Sequence, residues 1–343
     1  MGVTELGKLI NKEARREIKL EQLAGRCIAL DAYNALYQFL SSIRQPDGTP
    51  LMDRLGRVTS HLSGLFYRTI NLLEAGIKVV YVFDGRPPEF KLIEIEERRR
   101  AKEKAMEEVI KALREGRRED VVKYMKRAVF LTSEIVDDAK KLLSYMGVPW
   151  VQAPSEGEAQ AAYMAMRGHC WGVGSQDYDS LLFGSPRLVR NLAVSPRRKI
   201  GEDVVEVSPE VIELDAVLKS LRLKNREQLV DLAILLGTDY NPDGVAGVGP
   251  QRALRLVLEF GSLEKIVDTV LRGHQHLLEI KKFFLNPPVT DDYSLEGGRL
   301  DEGKLLSFLV EERDFSEDRV RRAVERLRKA SVKHKTTSLD TFF

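Results

Sequence analysis

Val79-Val80-Tyr81-Val82-Phe83-Asp84-Gly85 is a run of five β-favouring apolar residues that stops at an acid and a glycine. A run apolar at every position fits a strand covered on both faces, as in a parallel sheet, rather than a strand with one wet face. Working outward, Cys27-Ile28-Ala29-Leu30 has the same form and ends at Asp31. Trp171-Gly172-Val173-Gly174-Ser175 is a third candidate strand and Val148 to Gln152 a fourth. Helical patterns lie between and beside them, at 33–43, 59–75, 134–146 and 156–167. Strands separated by helices predict an α/β fold with a mostly parallel central sheet flanked by helices. From residue 208 the pattern reads as helix throughout, over 227–236, 250–258, 262–271, 302–312 and 316–330. The expected organisation is an α/β core from 1–88 and 134–240, a charged insertion at 89–133, a helical region at 241–330 and a flexible tail at 331–343.

The chain has 343 residues, 43% hydrophobic and 31% charged, which predicts a globular protein with a well-buried core. No apolar run approaches the roughly 18–20 residues that span a bilayer, and the amino terminus lacks a secretory pattern. Cys27 and Cys170 are far apart in sequence and without CxxC spacing, so neither a disulfide framework nor a cysteine zinc site is expected. These features point to a reducing, intracellular location: cytoplasm or nucleoid in an archaeon, the nucleus in a eukaryote.

The chemistry is read from the acids that end strands or open helices. Asp31 and Asp84 end two strands, Asp177 and Asp179 follow a third, Glu156 and Glu158 open a helix after Pro154-Ser155, and Asp239 follows the helical pattern 227–236. Each has a plainer reading alone. Asp31 suits a helix N-cap, Ser155-x-x-Glu158 a capping box, and Asp84-Gly85 a turn. Jointly they belong beyond the carboxyl ends of a parallel sheet, where such folds bind ligands. Carboxylates about 4 Å apart repel by roughly 4 kcal/mol per pair at an effective dielectric of 20, so the cluster requires cations. An all-oxygen set with no His or Cys selects Mg²⁺, or Mn²⁺, over zinc. Two such ions suit phosphodiester hydrolysis, one activating water and the other stabilising the leaving oxygen. His274 and His276 lie near each other, but in a loop setting that fits a surface role.

Net charge is only +2. Set aside the seven acids, and 54 Lys and Arg face 52 Asp and Glu less those seven, a remainder of +9. A basic body around an acidic pocket suits a polyanion. Gly244-Val245-Ala246-Gly247-Val248-Gly249-Pro250-Gln251-Arg252 is either an ordinary connection between helices or an anion nest for phosphate, with Arg252 in reach. Lys91 and Arg98, seven residues apart, project from one helix face next to Asp84. They read as solvated charges or as cations that offset transition-state charge on a phosphate. Residues 89–128 are dense in charge, and read either as a solvated helical hairpin or as a mobile arch that orders on a ligand.

Taken in order, MGVTELGKLI, IALDAYNALYQFL, TSHLSGLFYRTI, VVYVFDGRPPEFK, APSEGEAQAAYM, SQDYDSLLFG, LLGTDYNPDGVAGVGPQRAL and the tail SLDTFF resemble the flap endonucleases, structure-specific 5′ nucleases of archaea and eukaryotes. The resemblance spans essentially the whole chain. It implies a PIN/5′-nuclease-like core, a helical arch, and a helix–two-turn–helix that grips duplex DNA and is associated with K⁺. It implies removal of 5′ flaps at single-strand/duplex junctions by two-metal hydrolysis, with 5′ exonuclease activity, in replication and repair. The family's metal carboxylates match Asp31, Asp84, Glu156, Glu158, Asp177, Asp179 and Asp239, and its phosphate-steering cations match Lys91 and Arg98. Its base-stacking tyrosine matches Tyr37, and Gly2 becomes the new amino terminus near the site once Met1 is removed. Gly247, Gly249 and Arg252 match the duplex-gripping turn, where Gln251 replaces a common Lys. Residues 44–57 align with the junction wedge, and Arg44, Thr59 and Arg313 resemble a pocket for a one-nucleotide 3′ flap.

The tail resembles a box that binds the sliding clamp (PCNA), with Leu339, Phe342 and Phe343 matching and Thr336 replacing the usual Gln. The alternative is a disordered end with chance aromatics. Expected partners are thus branched DNA and the clamp, with a monomeric protein and no membrane. The rival readings are a mainly exonucleolytic or bubble-cutting nuclease, and a catalytically inactive DNA- or clamp-binding scaffold.

Overall fold

The structure, a computed structural model, describes residues 4–45, 47–127, 131–193, 197–200 and 203–339. Nine strands occur among them: β1 (Arg15–Glu17), β2 (Cys27–Asp31), β3 (Lys78–Phe83), β4 (Trp150–Gln152), β5 (Gly172–Gly174), β6 (Arg187–Arg190), β7 (Arg197–Ile200), β8 (Asp203–Glu206) and β9 (Glu210–Glu213). Seven form one sheet in the order β1-β9-β6-β5-β2-β3-β4, and β7 and β8 pair as a separate hairpin. The five strands from β6 to β4 run parallel, while β9 is antiparallel to both β6 and β1.

Burial explains the unbroken apolar runs. Ala29, Val80, Val82, Val151 and Val173 face one core, while Ile28, Leu30, Val79, Tyr81 and Phe83 face the other. Both faces of the sheet are covered by helices, so alternation of polar and apolar residues has no use there. The helices after residue 213 do not stand apart from the sheet. Arg226–Leu236, Pro250–Phe260, Leu263–Thr269 and His276–Leu285 join the first core, whereas the carboxy-terminal helical segment supplies Leu305, Phe308, Val320, Val324 and Leu327 to the second.

Two expectations need correction, and one proximity adds to what the sequence showed. Residues after 208 are not helical throughout, because Glu210–Glu213 is strand β9, with Val211 and Ile212 buried on opposite faces. The segment 331–343 does not start as a flexible tail, because the backbone helix Glu317–Leu339 runs through it with no Gly or Pro to stop it. The two cysteines, distant in sequence, lie with their sulfurs 2.8 Å apart at the amino end of the central strands.

Chain order sets the position of the site. From β2 the chain adds β3 and β4 on one side, then crosses to add β5 and β6 on the other. The order therefore reverses at β2/β5, and the crevice beyond their carboxyl ends is where such sheets take ligands. Above it stand the helices Leu92–Arg114 and Arg118–Arg127, joined at Gly116 in a left-handed conformation (φ 70°). This hairpin packs on its own small cluster of Val109, Ala112 and Val121, with Tyr124 and Met125 against it. Arg99 and Arg100 pair with Glu96 along the exposed side of the hairpin.

Candidate active site

All seven acids line one cavity of about 1010 Å³ beneath the helical hairpin, together with Lys91, Arg98, Tyr37 and Lys102. Asp31, the last residue of β2, does two things. Its Oδ1 accepts from the Asn34 amide at 3.0 Å, so it is the N-cap of Ala32–Ser42, and it also faces the cavity. Burial, then Asp84, and also Asp177 and Glu156, push its carboxyl well above the usual range, against the Asn34 hydrogen bond.

Asp84, one residue past β3, accepts from the Gly157 amide at 2.6 Å. It thus caps, from another part of the chain, the helix Gly157–Met166 that Glu156 and Glu158 open. The loops are held by Gly85, whose amide donates to Ser155 O at 2.6 Å; a Cβ there would lie 2.1 Å from Ala153 O. Burial, then Glu156, raise Asp84 to about 6, opposed by Lys91 and the Gly157 amide.

The capping box is not formed. Glu156 is the N-cap residue and its side chain makes no capping hydrogen bond, because its Oε2 instead accepts from Lys91 Nζ at 2.7 Å. Burial alone would lower the Lys91 pKa, but Glu156, Asp239 and Asp84 outweigh it and raise it. Glu158 is fully engaged in the cavity. Its Oε1 is buried with no hydrogen-bond partner, and burial followed by Asp31, Asp179 and Asp177 raises its pKa well above normal.

Asp177 Oδ2 accepts from Asn34 Nδ2 at 2.9 Å, and burial followed by Asp239 raises its carboxyl to about 6. Asp179 is buried at the first position of Asp179–Leu182. Asp239 Oδ1 accepts from Arg98 Nη2 at 2.9 Å. The next residue, Tyr240, packs edge-on against Phe90 and Phe283, with ring centroids 5.2 Å away in each case. Phe90 directly precedes Lys91, so this aromatic seat fixes the base of the hairpin.

Three residues of this site were not singled out from sequence. Asn34 ties Asp31 to Asp177, and the i+3 spacing from an N-cap acid was the available signal. Gly157 lets Asp84 reach the helix start, since a Cβ on it would lie 2.7 Å from Asp84 Oδ1. Lys102 donates to the Tyr37 hydroxyl at 2.8 Å and stands 4.6 Å from its ring centre, closing the cavity on that side.

The donor set fits hard divalent cations: largely buried and oxygen-only, with the carboxyls of Asp31, Asp84, Glu158 and Asp177 raised in pKa and one orphaned acceptor on Glu158. Among the described residues no three acids converge as a ready-made cage. Lys91 and Arg98 instead supply counter-charge to Glu156 and Asp239. A cluster held open in this way still needs cations to bring the remaining carboxylates together.

The other expected residues lie outside this cavity. Arg44 lines a second cavity of about 410 Å³ beside Met52, Arg57, His61 and Asp138. Arg313 stands behind it, paired with Asp138 at 2.8 Å, and Thr59 is buried; neither lines the cavity. Arg252 Nη1 donates to Gly247 O at 3.0 Å, and Gly249 is the N-cap of Pro250–Phe260, so these three form one exposed turn away from the acids. Gly2, Phe342 and Phe343 lie outside the described residues, as does the side chain of Leu339.

Residues 1–105 match the XPG N-terminal domain and residues 147–239 the XPG I-region. The chain is 80% identical to Flap endonuclease 1 of Pyrobaculum islandicum and 57% identical to that of Aeropyrum pernix, with full coverage of both partners in each case. Among solved structures it resembles flap endonuclease-1 from Methanococcus jannaschii at 44% identity, covering 97% of this chain and 99% of that one with a TM-score of 0.77. It also resembles the catalytic core of Rad2 in complex with DNA substrate, at 26% identity, 92% and 96% coverage and a TM-score of 0.66.

Proposed function

Because the chain belongs to the flap endonuclease 1 family, we propose that it removes 5′ flaps by magnesium-dependent hydrolysis in the pocket of seven carboxylates. The activity class itself follows from membership: the protein is a structure-specific 5′ flap endonuclease of DNA replication and repair. Nucleases of this kind generally need a divalent metal. The finer assignment rests on one observation, the shared cavity at the β2/β5 crevice that holds all seven acids and both cations.

Asp31, Asp84, Glu156, Glu158, Asp177, Asp179 and Asp239 are the residues that would hold two Mg²⁺ ions, with Mn²⁺ able to substitute. Bound there, such ions supply an acidified water and charge stabilisation on the scissile phosphate. The chain's own cations do the rest. Lys91 and Arg98, held at the rim by Glu156 and Asp239, turn to the phosphate oxygens and offset charge as it develops. Burial around them strengthens that attraction relative to water. A water oxygen bonds to phosphorus as the bond to the 3′ oxygen breaks, leaving a 5′-phosphate and a 3′-hydroxyl that takes up the water's proton. Tyr37, held under Lys102, offers a ring face to a base beside the scissile bond.

Specificity comes from shape rather than base reading. The hairpin accepts the single-stranded 5′ flap, and the 44–57 segment wedges the junction. Arg44, Thr59 and Arg313 take the 3′ flap, and Gly247, Gly249 and Arg252, with K⁺, grip the duplex. The Rad2 core seen with DNA substrate supports this placement of a nucleic acid on the same fold. Exonucleolytic removal from a nick is the same reaction with a flap of minimal length. Leu339, Phe342 and Phe343 dock the sliding clamp, and the enzyme acts as an intracellular monomer.

A double-flap substrate labelled at its 5′ end tests this directly. Cleavage near the single-strand/duplex junction that requires Mg²⁺ and stops on chelation is the expected result. Unchanged cleavage after exhaustive chelation would overturn the metal reading, and preference for a bubble over a flap would overturn the substrate reading.

A further inference from the structure

The end of the sheet opposite the carboxylates holds a second chemically unusual pair. Cys27 opens β2 and Cys170 lies just before β5, the strand beside it. Their sulfurs are 2.8 Å apart, within roughly 0.8 Å of a disulfide bond length. The chain has no third cysteine, so closure has a single intramolecular product. The Trp171 amide donates to Cys27 O at 2.7 Å, which locks the two segments side by side. We infer that Cys27 and Cys170 are a closable thiol pair, forming an intramolecular disulfide that clips the two central strands together at the amino end of the sheet.

The two thiols are unequal in the way such closure requires. Cys27 is partly exposed and Cys170 is buried. The hydrogen bond from Cys170, with Lys78 adding to it, lowers the Cys27 pKa against the effect of burial, whereas the same contact and burial raise Cys170. Arg26 and Arg187 lie over the ring of the adjacent Trp171, 4.3 and 4.8 Å from its centre. The partly exposed Cys27, its pKa lowered, is the attacking member once ionised, and the buried Cys170 beside it is the resolving one.

The oxidant is a small-molecule disulfide. Cys27 thiolate attacks one of its sulfurs and expels a thiolate, leaving a mixed disulfide. Cys170, on losing its proton, attacks the Cys27 sulfur and expels the second thiolate. Two protein thiols are oxidised, one external disulfide is reduced, and the two protons end on the two released thiols.

Closure joins residues 143 positions apart, so it removes much freedom from the unfolded chain and should raise the melting temperature by on the order of 5 °C. Cys27 and Asp31 lie at opposite ends of β2, so flap cleavage should not change.

The test uses the full chain, incubated with oxidised glutathione or with a phosphine reductant, then denatured, treated with a maleimide and weighed intact. Two labelled thiols in the reduced sample, none in the oxidised sample, and a crosslinked peptide pair carrying Cys27 and Cys170 are expected. The melting temperature should differ between the two samples for the wild type and not for Cys27→Ser or Cys170→Ala. That comparison is made within each variant, and the wild-type mass result stands even if a variant folds poorly. Two thiols still open to labelling after oxidation, a stable glutathione adduct on Cys27, or disulfide-linked dimers would each overturn the inference.

Discussion

The Gly157 amide donates to Asp84 Oδ1 at 2.6 Å, so a strand-end acid serves as the cap of the helix that carries two more acids. One hydrogen bond therefore sets the distance between the β3 end and Glu156 and Glu158. A methyl group at 157 would sit 2.7 Å from that oxygen and 3.1 Å from Val82 O, and backbone on the β3 side has little room to give. Gly157→Ala should slow the single-turnover cleavage step by roughly 10- to 100-fold, the usual cost of misplacing a catalytic group by a fraction of an ångström to one ångström. Flap-DNA affinity should stay within a few-fold, because the basic surface is untouched. An unchanged cleavage rate would show that Asp84 need not cap this helix.

Asp177 offers a test on stability instead of rate. Its native carboxyl is raised to about 6, first by burial and then by Asp239, against 3.8 in an unfolded chain. A raised folded value means that the native state gains stability as pH falls from 6 towards 3.8 and carries a cost above 6. In metal-free protein at pH 7.5, Asp177→Asn should therefore stabilise the fold, by up to about 3 kcal/mol. Asparagine keeps an acceptor for Asn34 Nδ2. Added Mg²⁺ should stabilise the wild type more than the variant. Calorimetry with chelator and with Mg²⁺ checks both, and a destabilised metal-free variant would contradict the repulsion argued for the cavity.

Arg98 holds Asp239 with only a partly buried ion pair, so its removal costs the fold little. Its proposed work is on charge that develops in the transition state. Arg98→Ala should lower the single-turnover rate by at least about 100-fold, the scale of one lost electrostatic contact, while flap binding weakens only a few-fold. An effect confined to binding would assign Arg98 to holding DNA.

His61 sets a different pH dependence. Burial, with Arg313 adding to it, pulls the imidazole from 6.5 down to about 3, and neither ring nitrogen has a hydrogen-bond partner. Above pH 6.5 the ring is neutral in both states. Below it the unfolded chain takes up a proton that the folded chain refuses until about pH 3, so stability falls by about 1.4 kcal/mol per pH unit. Between pH 7.5 and 5.0 the wild type should lose about 2 kcal/mol more than His61→Leu, measured by denaturant titration. Parallel profiles would mean that the ring is protonated in place.

The sheet was legible because β2 and β3 are continuous apolar runs, and only strands covered on both faces have that form. The strand-end acids were legible for the same reason, since a charge marks where such a run leaves the core. The short antiparallel strands β1 and β9 were not, because they span only three and four residues and draw their stability from pairing, β1 with β9 and β9 with β6. Glu158 matched a capping box in sequence, but the cap of its helix comes from Asp84, 73 positions before Gly157. The Asn34–Asp177 bond and the cysteine pair each span 143 positions, which no local pattern records.

The aromatic seat under the hairpin has a mechanical consequence. Phe90 and Tyr240 meet on Phe283, and their next-door neighbours are Lys91 and Asp239. A cation and an acid from opposite walls thus ride on one stiff pivot carried by His276–Leu285. A displacement of that helix would therefore carry both charges with it.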